Sequence, residues 1–239
     1  MIEYIVIFVA LAIIWWAWQV VKSSGFMSNI EPQVTESPSN LSKPLTVYYK
    51  YNVGPYSGSV NIINEVKSLL ADATTFGIYY DNPDVVAPHL LQSAIGVVVG
   101  GDDGEEMYGE EVSATLVENG FEKMVLPKVT RAIQAVQPSS GGLLSMLALV
   151  NRTYPIVKEY ISTNRLEIKY AVEFYSPTEI SIEFPLDNAD DFLVPDYIPT
   201  DELESKLARK KFDSDEEDSE SEPEGAESDD EKATASTSE

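Results

Sequence analysis

The stretch Leu45 to Gly58, LTVYYKYNVGPYSG, sets the plan of the chain. Its first nine residues are mostly β-branched or aromatic, which favours a strand, and Gly54-Pro55 stops it. Ser57 or Ser59 can cap a following helix, in which Ile62, Ile63, Val66, Leu69 and Leu70 recur on one face. Phe76 to Tyr80 then reads as a strand closed by the turn Asp81-Asn82-Pro83, and Ser93 to Val99 as another. The order is strand, helix, strand, strand.

The second half repeats that order. Phe121 to Val136 is rich in strand formers and is interrupted by Pro127, which marks a bend or an edge because proline cannot donate to a ladder. Beyond Pro138 to Gly142, the residues Leu143, Leu147, Val150, Tyr154, Val157 and Ile161 follow in steps of three and four, which predicts a core-facing helical stripe. Pro155 should kink that helix. Leu166 to Tyr175 and Glu179 to Phe184 alternate as two strands joined at Ser176-Pro177-Thr178. The duplication predicts an α+β domain over residues 45–199: one antiparallel sheet with both helices on one face. The other face is expected to stay open as a groove for any ligand.

Before this domain lies Ile2 to Val21, IEYIVIFVALAIIWWAWQVV. As a helix it would be roughly 30 Å long, the thickness of a bilayer core. Trp15, Trp16 and Trp18 fall near the end where Lys22 follows, as interfacial rings do. Glu3 in place of a basic n-region, the long apolar run and the absence of a small-residue cleavage site favour an uncleaved signal-anchor over a cleaved signal peptide. Lys22 and Lys43 lie C-terminal to the anchor, so the positive-inside bias places the N-terminus outside and the rest in the cytosol. Residues 22–44, rich in Ser, Pro and Asn, are expected to be a flexible spacer.

The chain has no cysteine and one histidine, His89, in 239 residues. Thiolate chemistry, disulfides and most metal or nucleophile-and-base sites are thereby removed, which suits a reducing cytosol. No catalytic residue, cofactor site or metal site is expected, and the chain is not expected to be an enzyme. The acidic loop Gly100 to Glu111 lacks both the phosphate-loop pattern and the EF-hand spacing. Net charge is −24, of which −11 falls between Asp201 and Glu239. Such a surface repels nucleic acid, and residues 200–239 read as an acidic disordered tail containing a short helix near Leu203 to Lys211. Within it Ser214 precedes Asp215-Glu216-Glu217, Ser228 precedes Asp229-Asp230-Glu231, and Ser219 and Ser221 sit among acidic residues, a setting that acidophilic kinases favour.

Three stretches, Gly54-Pro55-Tyr56, Tyr80-Asp81-Asn82-Pro83 and Glu173-Phe174-Tyr175, resemble the pattern of gyrase-inhibitor-like (GyrI-like) domains. With the anchor and acidic tail, the chain looks like a membrane-tethered member of that family. The resemblance implies a receptor in the endoplasmic reticulum membrane, active in reticulophagy and found also at the autophagosome. It implies that an aromatic-x-x-aliphatic tail motif binds ubiquitin-like autophagy modifiers by β-augmentation. Here Phe212 is the tail aromatic, with Asp215 where the aliphatic residue would stand; the spacing also occurs at Trp18 to Val21, in the anchor, and Tyr154 to Val157, on the helical stripe. The resemblance further implies recruitment of an AAA segregase to protein adducts. In ligand-binding members a groove carboxylate meets flat cations, a role that falls here on Glu173, with Tyr175 on the same face by alternation.

Overall fold

The computed structural model describes residues 2–101 and 107–219, with the side chains of residue 2 and of 210–219 left undescribed. Helix α1 (Ile2–Ser23) is followed by strand β1 (Gln33–Thr35). The first repeat is β2 (Leu45–Val53), α2 (Ser59–Leu69), β3 (Thr75–Tyr79) and β4 (Gln92–Gly100). Helix α3 (Glu110–Glu118) and strand β5 (Glu122–Leu126) lead to the second repeat. That repeat is β6 (Ala132–Pro138), a long helix, β7 (Ala171–Tyr175) and β8 (Glu179–Pro185). The long helix consists of α4 (Gly142–Ala148), a π-helical turn (Leu149–Thr153) and α5 (Tyr154–Asn164). Pro155 stands just after the π turn, whose wider winding takes up the backbone bond that proline cannot make. Helix α6 (Thr200–Ser219) closes the described chain.

The eight strands of the described residues form one antiparallel sheet in the order β1-β6-β8-β7-β3-β4-β2-β5. The two repeats meet at the central β3 and β7, with Gly77 opposite Glu173. The strand preceding each repeat pairs with the other repeat: β1 extends β6, and β5 extends β2. Six residue steps carry the chain from Leu126 to Ala132, a reach of roughly 20 Å. Six strand spacings in a flat sheet would need about 29 Å. The sheet therefore curls toward the face that Leu126, Val129 and Ala132 share.

Helices α2, α4 and α5 lie on the opposite, convex face. There Ile63, Leu149 and Val157 pack with Ile95, Ile133, Tyr175 and Ile182, while Val66 meets Leu116 of α3. Two expectations are corrected by the core. The concave face is not an open groove: Leu41, Tyr170, Phe192 and Val194 cover it, packed on Val47, Phe76, Val172 and Phe174. Residues beyond Leu186 dock back because their apolar side chains find this face. The stretch 22–44 is not a free spacer either, since Ile30 and Leu41 are buried and Gln33–Thr35 forms β1. A few well-spaced apolar residues are enough when a sheet edge is available.

The helical stripe divides. Val157 is fully buried with Tyr154 and Ile161 against it, whereas Leu143, Leu147 and Val150 are 74%, 40% and 60% exposed. In α1 every described side chain from Glu3 to Gln19 is exposed, and none of the described residues covers its apolar surface. Such a helix fits a membrane protein. Helix α6 continues past Lys211 to Ser219, so the first half of the acidic tail is helical at the level of its backbone, with Asp201 and Glu202 in the first turn where the helix dipole favours them.

Candidate functional site

The three motif stretches converge on one place. Gly54, at φ +133°, turns the chain out of β2 and donates its N–H to Leu91 O at 2.8 Å. This delivers Tyr56, whose hydroxyl donates to Asp81 O (2.8 Å) and accepts from Asp81 N (2.9 Å). Asp81 in turn accepts the Gln92 N–H at 2.7 Å, which secures the turn after β3. The Tyr56 ring meets Tyr79 edge to face at 4.7 Å.

Tyr79 and Tyr175 are the last residues of the equivalent strands β3 and β7, and their hydroxyls meet at 2.8 Å. Tyr175 donates to one oxygen of Glu173, and Tyr154 of α5 donates to the other. With the Tyr175 proton committed to the carboxylate, Tyr79 is left to donate to Tyr175. A chain of phenols thus ends on a carboxylate that is only 4% exposed. Gly77 faces Glu173 across the strand pair and carries no side chain to fill this space. A Cβ there would come within 2.9 Å of Tyr79 and Ile95.

Burial pushes the Glu173 carboxyl above its ordinary value, and the two tyrosine bonds pull it partly back. The same burial, together with the nearby carboxylate, drives the hydroxyls of Tyr79, Tyr154 and Tyr175 well up, so they remain donors throughout the physiological range. Glu173 and Tyr175 share a face, as alternation predicts, but it is the helix-covered face. A solvated position on an open sheet is not what the structure contains. A ligand reaching this carboxylate has to displace Tyr154 and Tyr175; a flat cation would then find a carboxylate walled by aromatic rings.

Tyr56, Tyr79 and Tyr154 were not singled out by residue type. The usable signal was internal, because Tyr79 and Tyr175 occupy the same position in the two repeats. His89 is exposed in a single turn between β3 and β4. Phe212, Ser214 and Ser219 belong to α6, but their side chains lie outside the described residues, as do Ser221 and Ser228 altogether. The loop residues 102–106 also lie outside them. The Tyr154 to Val157 spacing is committed to the Glu173 bond and the core.

A second carboxylate, Glu183 of β8, is wholly buried on the concave face. It accepts the backbone N–H groups of Asn40 (2.9 Å) and Leu41 (3.0 Å), the Asn40 side-chain amide (2.8 Å) and the Ser181 hydroxyl (3.1 Å). This carboxylate is a clamp on the segment that follows the anchor.

The fold and the cage define a duplicated α+β domain attached to an apolar N-terminal helix. The chain is 26% identical over 178 residues to human Testis-expressed protein 264, across 74% of this chain and 55% of that protein. It is 26% identical over 185 residues to the mouse homolog, across 77% of this chain and 58% of that one. It therefore spans little more than half the length of these curated relatives. No protein-family model matches it, so the gyrase-inhibitor-like resemblance rests on the motif residues. Among solved structures, the EcmrR C-terminal domain is similar with a TM-score of 0.41 at 13% identity, over 66% of this chain and 98% of that one. A hydrolase from Listeria innocua gives 0.39 at 9%, over 66% and 91%.

Proposed function

We propose that this chain is a single-pass receptor of the endoplasmic reticulum membrane for selective autophagy of that organelle. Its N-terminus lies in the lumen, its domain and tail in the cytosol. The reading is carried by one combination: an exposed apolar helix of 22 residues in a chain that aligns over 178 residues with Testis-expressed protein 264. The helix marks the cargo membrane, and the acidic tail reaches ubiquitin-like modifiers on the autophagosome. Phe212 is the tail contact, an aromatic residue that follows Arg209-Lys210-Lys211 and precedes the acidic run from Asp213, and phosphorylation of Ser214, Ser219, Ser221 or Ser228 adds charge toward a basic partner surface. Binding rather than catalysis is the role assigned to the chain.

A cytosolic domain is supported by Asn40-Leu41-Ser42, a glycosylation acceptor pattern. The Asn40 amide donates to buried Glu183, so a glycan on that nitrogen would crowd the clamp and leave it a single N–H to donate. Glycan transfer takes place in the lumen, so a cytosolic domain keeps both Asn40 and the second acceptor pattern, Asn151-Arg152-Thr153, bare.

Deleting Ile2 to Val21 is expected to abolish turnover of reticulum in starved cells; unchanged turnover overturns the reading. Proximity labelling from the tail, compared between wild type and Phe212→Ala, identifies the partner. Recovery of an AAA segregase in place of modifiers would instead favour the adduct-processing role.

The tyrosine-enclosed Glu173 favours a second reading, a small-molecule-binding domain. Titration of flat cationic dyes into wild type and Glu173→Gln tests it: binding lost in the variant supports this role, and no binding to either removes it.

A further inference from the structure

Four large apolar residues within eight positions, Leu143, Leu144, Leu147 and Val150, stand exposed along α4 and the π turn, and Leu143 is 74% exposed. Leu143 and Leu147 share one face a helical turn apart, and Leu144 lies beside them. No charged residue occurs from Gln137 to Asn151, in a chain of net charge −24. Exposed apolar side chains on α2 and α3, such as Val60, Leu69 and Val117, stand apart from one another, whereas here four fall within eight positions. A contiguous apolar patch without charge marks a surface with an apolar partner.

The position of this patch identifies the partner. Gln137, at the end of β6, donates from one amide nitrogen to Ser24 O (3.3 Å) and to Ser145 O (2.9 Å). Ser24 is the first residue after α1 and is fully buried. A Cβ on Gly25 would come within 2.5 Å of Gln137, so backbone and side chain are in close contact there. Arg152 in the π turn donates to Ser28 O at 2.9 Å. The patch is therefore held beside the point where α1 emerges, next to the tryptophan-rich end of that helix and the exposed Met27.

We infer that the α4 face Leu143, Leu144, Leu147 and Val150 lies in the surface of the membrane that α1 spans, as a second, interfacial contact. The inference rests on the reading of α1 as a membrane anchor. Burial of these side chains at the headgroup boundary removes apolar surface from water, and the absence of charge avoids repulsion by anionic lipid. Two contacts, one spanning and one lying flat, orient the domain on the bilayer in place of letting it swing on a tether.

The chain has no cysteine, so single-cysteine variants report one site each. Full-length Trp16→Cys, Leu143→Cys, Leu147→Cys and Val85→Cys, labelled with an environment-sensitive fluorophore, are reconstituted in phosphatidylcholine vesicles with and without doxyl-labelled lipid. Val85 is 80% exposed and follows Tyr79, at the end of the strands opposite Gln137, so it serves as the water reference. The expected result is blue-shifted emission with loss of intensity to doxyl lipid at positions 16, 143 and 147, and none at 85. Quenching at 16 with water-like emission at 143 and 147 overturns this inference and leaves the anchor standing. Blue-shifted emission at 143 and 147 without doxyl quenching assigns the patch to a protein partner and also overturns it. Water-like emission at 16 overturns the anchor reading and this one together.

Discussion

Leu41 donates its backbone N–H to Glu183 Oε2 at 3.0 Å, and both residues are completely buried. They stand 142 positions apart, one in the segment after the anchor and the other in the last strand of the sheet. One carboxylate thus turns a Ser- and Pro-rich stretch into part of the domain. Glu183→Ala leaves two backbone N–H groups without their acceptor and is expected to cost about 3 kcal/mol. Asn40→Ala keeps both backbone bonds and should cost under about 1 kcal/mol more than an average surface change. Denaturant unfolding of the reconstituted chain measures both, and hydrogen exchange at residues 40 and 41 should lose protection only in Glu183→Ala. Equal effects of the two variants would show that the clamp does not act through the backbone.

Placement of the domain has a direct readout in the same contact. The full chain expressed in cells is expected to show no mass shift on deglycosidase treatment. A shift that disappears in Asn40→Gln would place the domain in the lumen and contradict the cytosolic reading.

Glu173 makes stability depend on pH in a defined direction. Its carboxyl is raised in the folded state above the ordinary 4.5, chiefly by burial. The contribution of this group is therefore fully present below about pH 4.5 and is lost as pH rises through the folded-state value, because the buried charge is costlier than the exposed one. Glu173→Gln cannot titrate. The stability of the variant relative to wild type should rise with pH across that window, on top of a constant offset from one altered tyrosine bond. A difference that stays flat with pH would mean the carboxyl is not held above its unfolded value.

Two glycines in the sheet should differ sharply. A Cβ on Gly96 would stand 1.8 Å from the Tyr48 carbonyl oxygen, so β2 itself has to move, and Gly96→Ala is expected to prevent folding. At Gly77 the obstacles are the Tyr79 ring and the tip of Ile95, which can shift. Gly77→Ala should fold, lose roughly 1–3 kcal/mol and break the Tyr79–Tyr175 contact. Circular dichroism of the two variants, with thermal melts, checks the order; a well-folded Gly96→Ala would refute the close approach of β2 and β4.

Much of this fold was legible in local pattern. The strands and helices of the two repeats and their doubled order follow from periods of two and of about 3.6, whereas β1 and α3 are not expected from the sequence. The shared face of Glu173 and Tyr175 follows from alternation alone. Which face the helices cover does not, since alternation is symmetric between the two sides of a sheet. Glu173 consequently reads as a candidate on an open surface and is found buried beneath Tyr154. The stripe from Leu143 to Ile161 shows the same limit: periodicity identifies an apolar face but not what covers it, and only its second half packs into the core. The first half faces away, beside the exit of α1.

By itself, the sequence determined the apolar helix at the N-terminus, the strand-helix-strand-strand duplication, the absence of cysteine chemistry and the motif stretches that surround the cage. These properties are encoded in contiguous residues, where composition and spacing act directly on backbone conformation. Only the tertiary structure decided that β1 and β5 exchange between the repeats, that the concave face is filled, and that Glu183 captures the segment after the anchor. Those outcomes depend on which edges and buried acceptors remain once the two repeats have paired. A lone Leu41 or Glu183 therefore carries no recognisable signal until a residue more than a hundred positions away is brought against it.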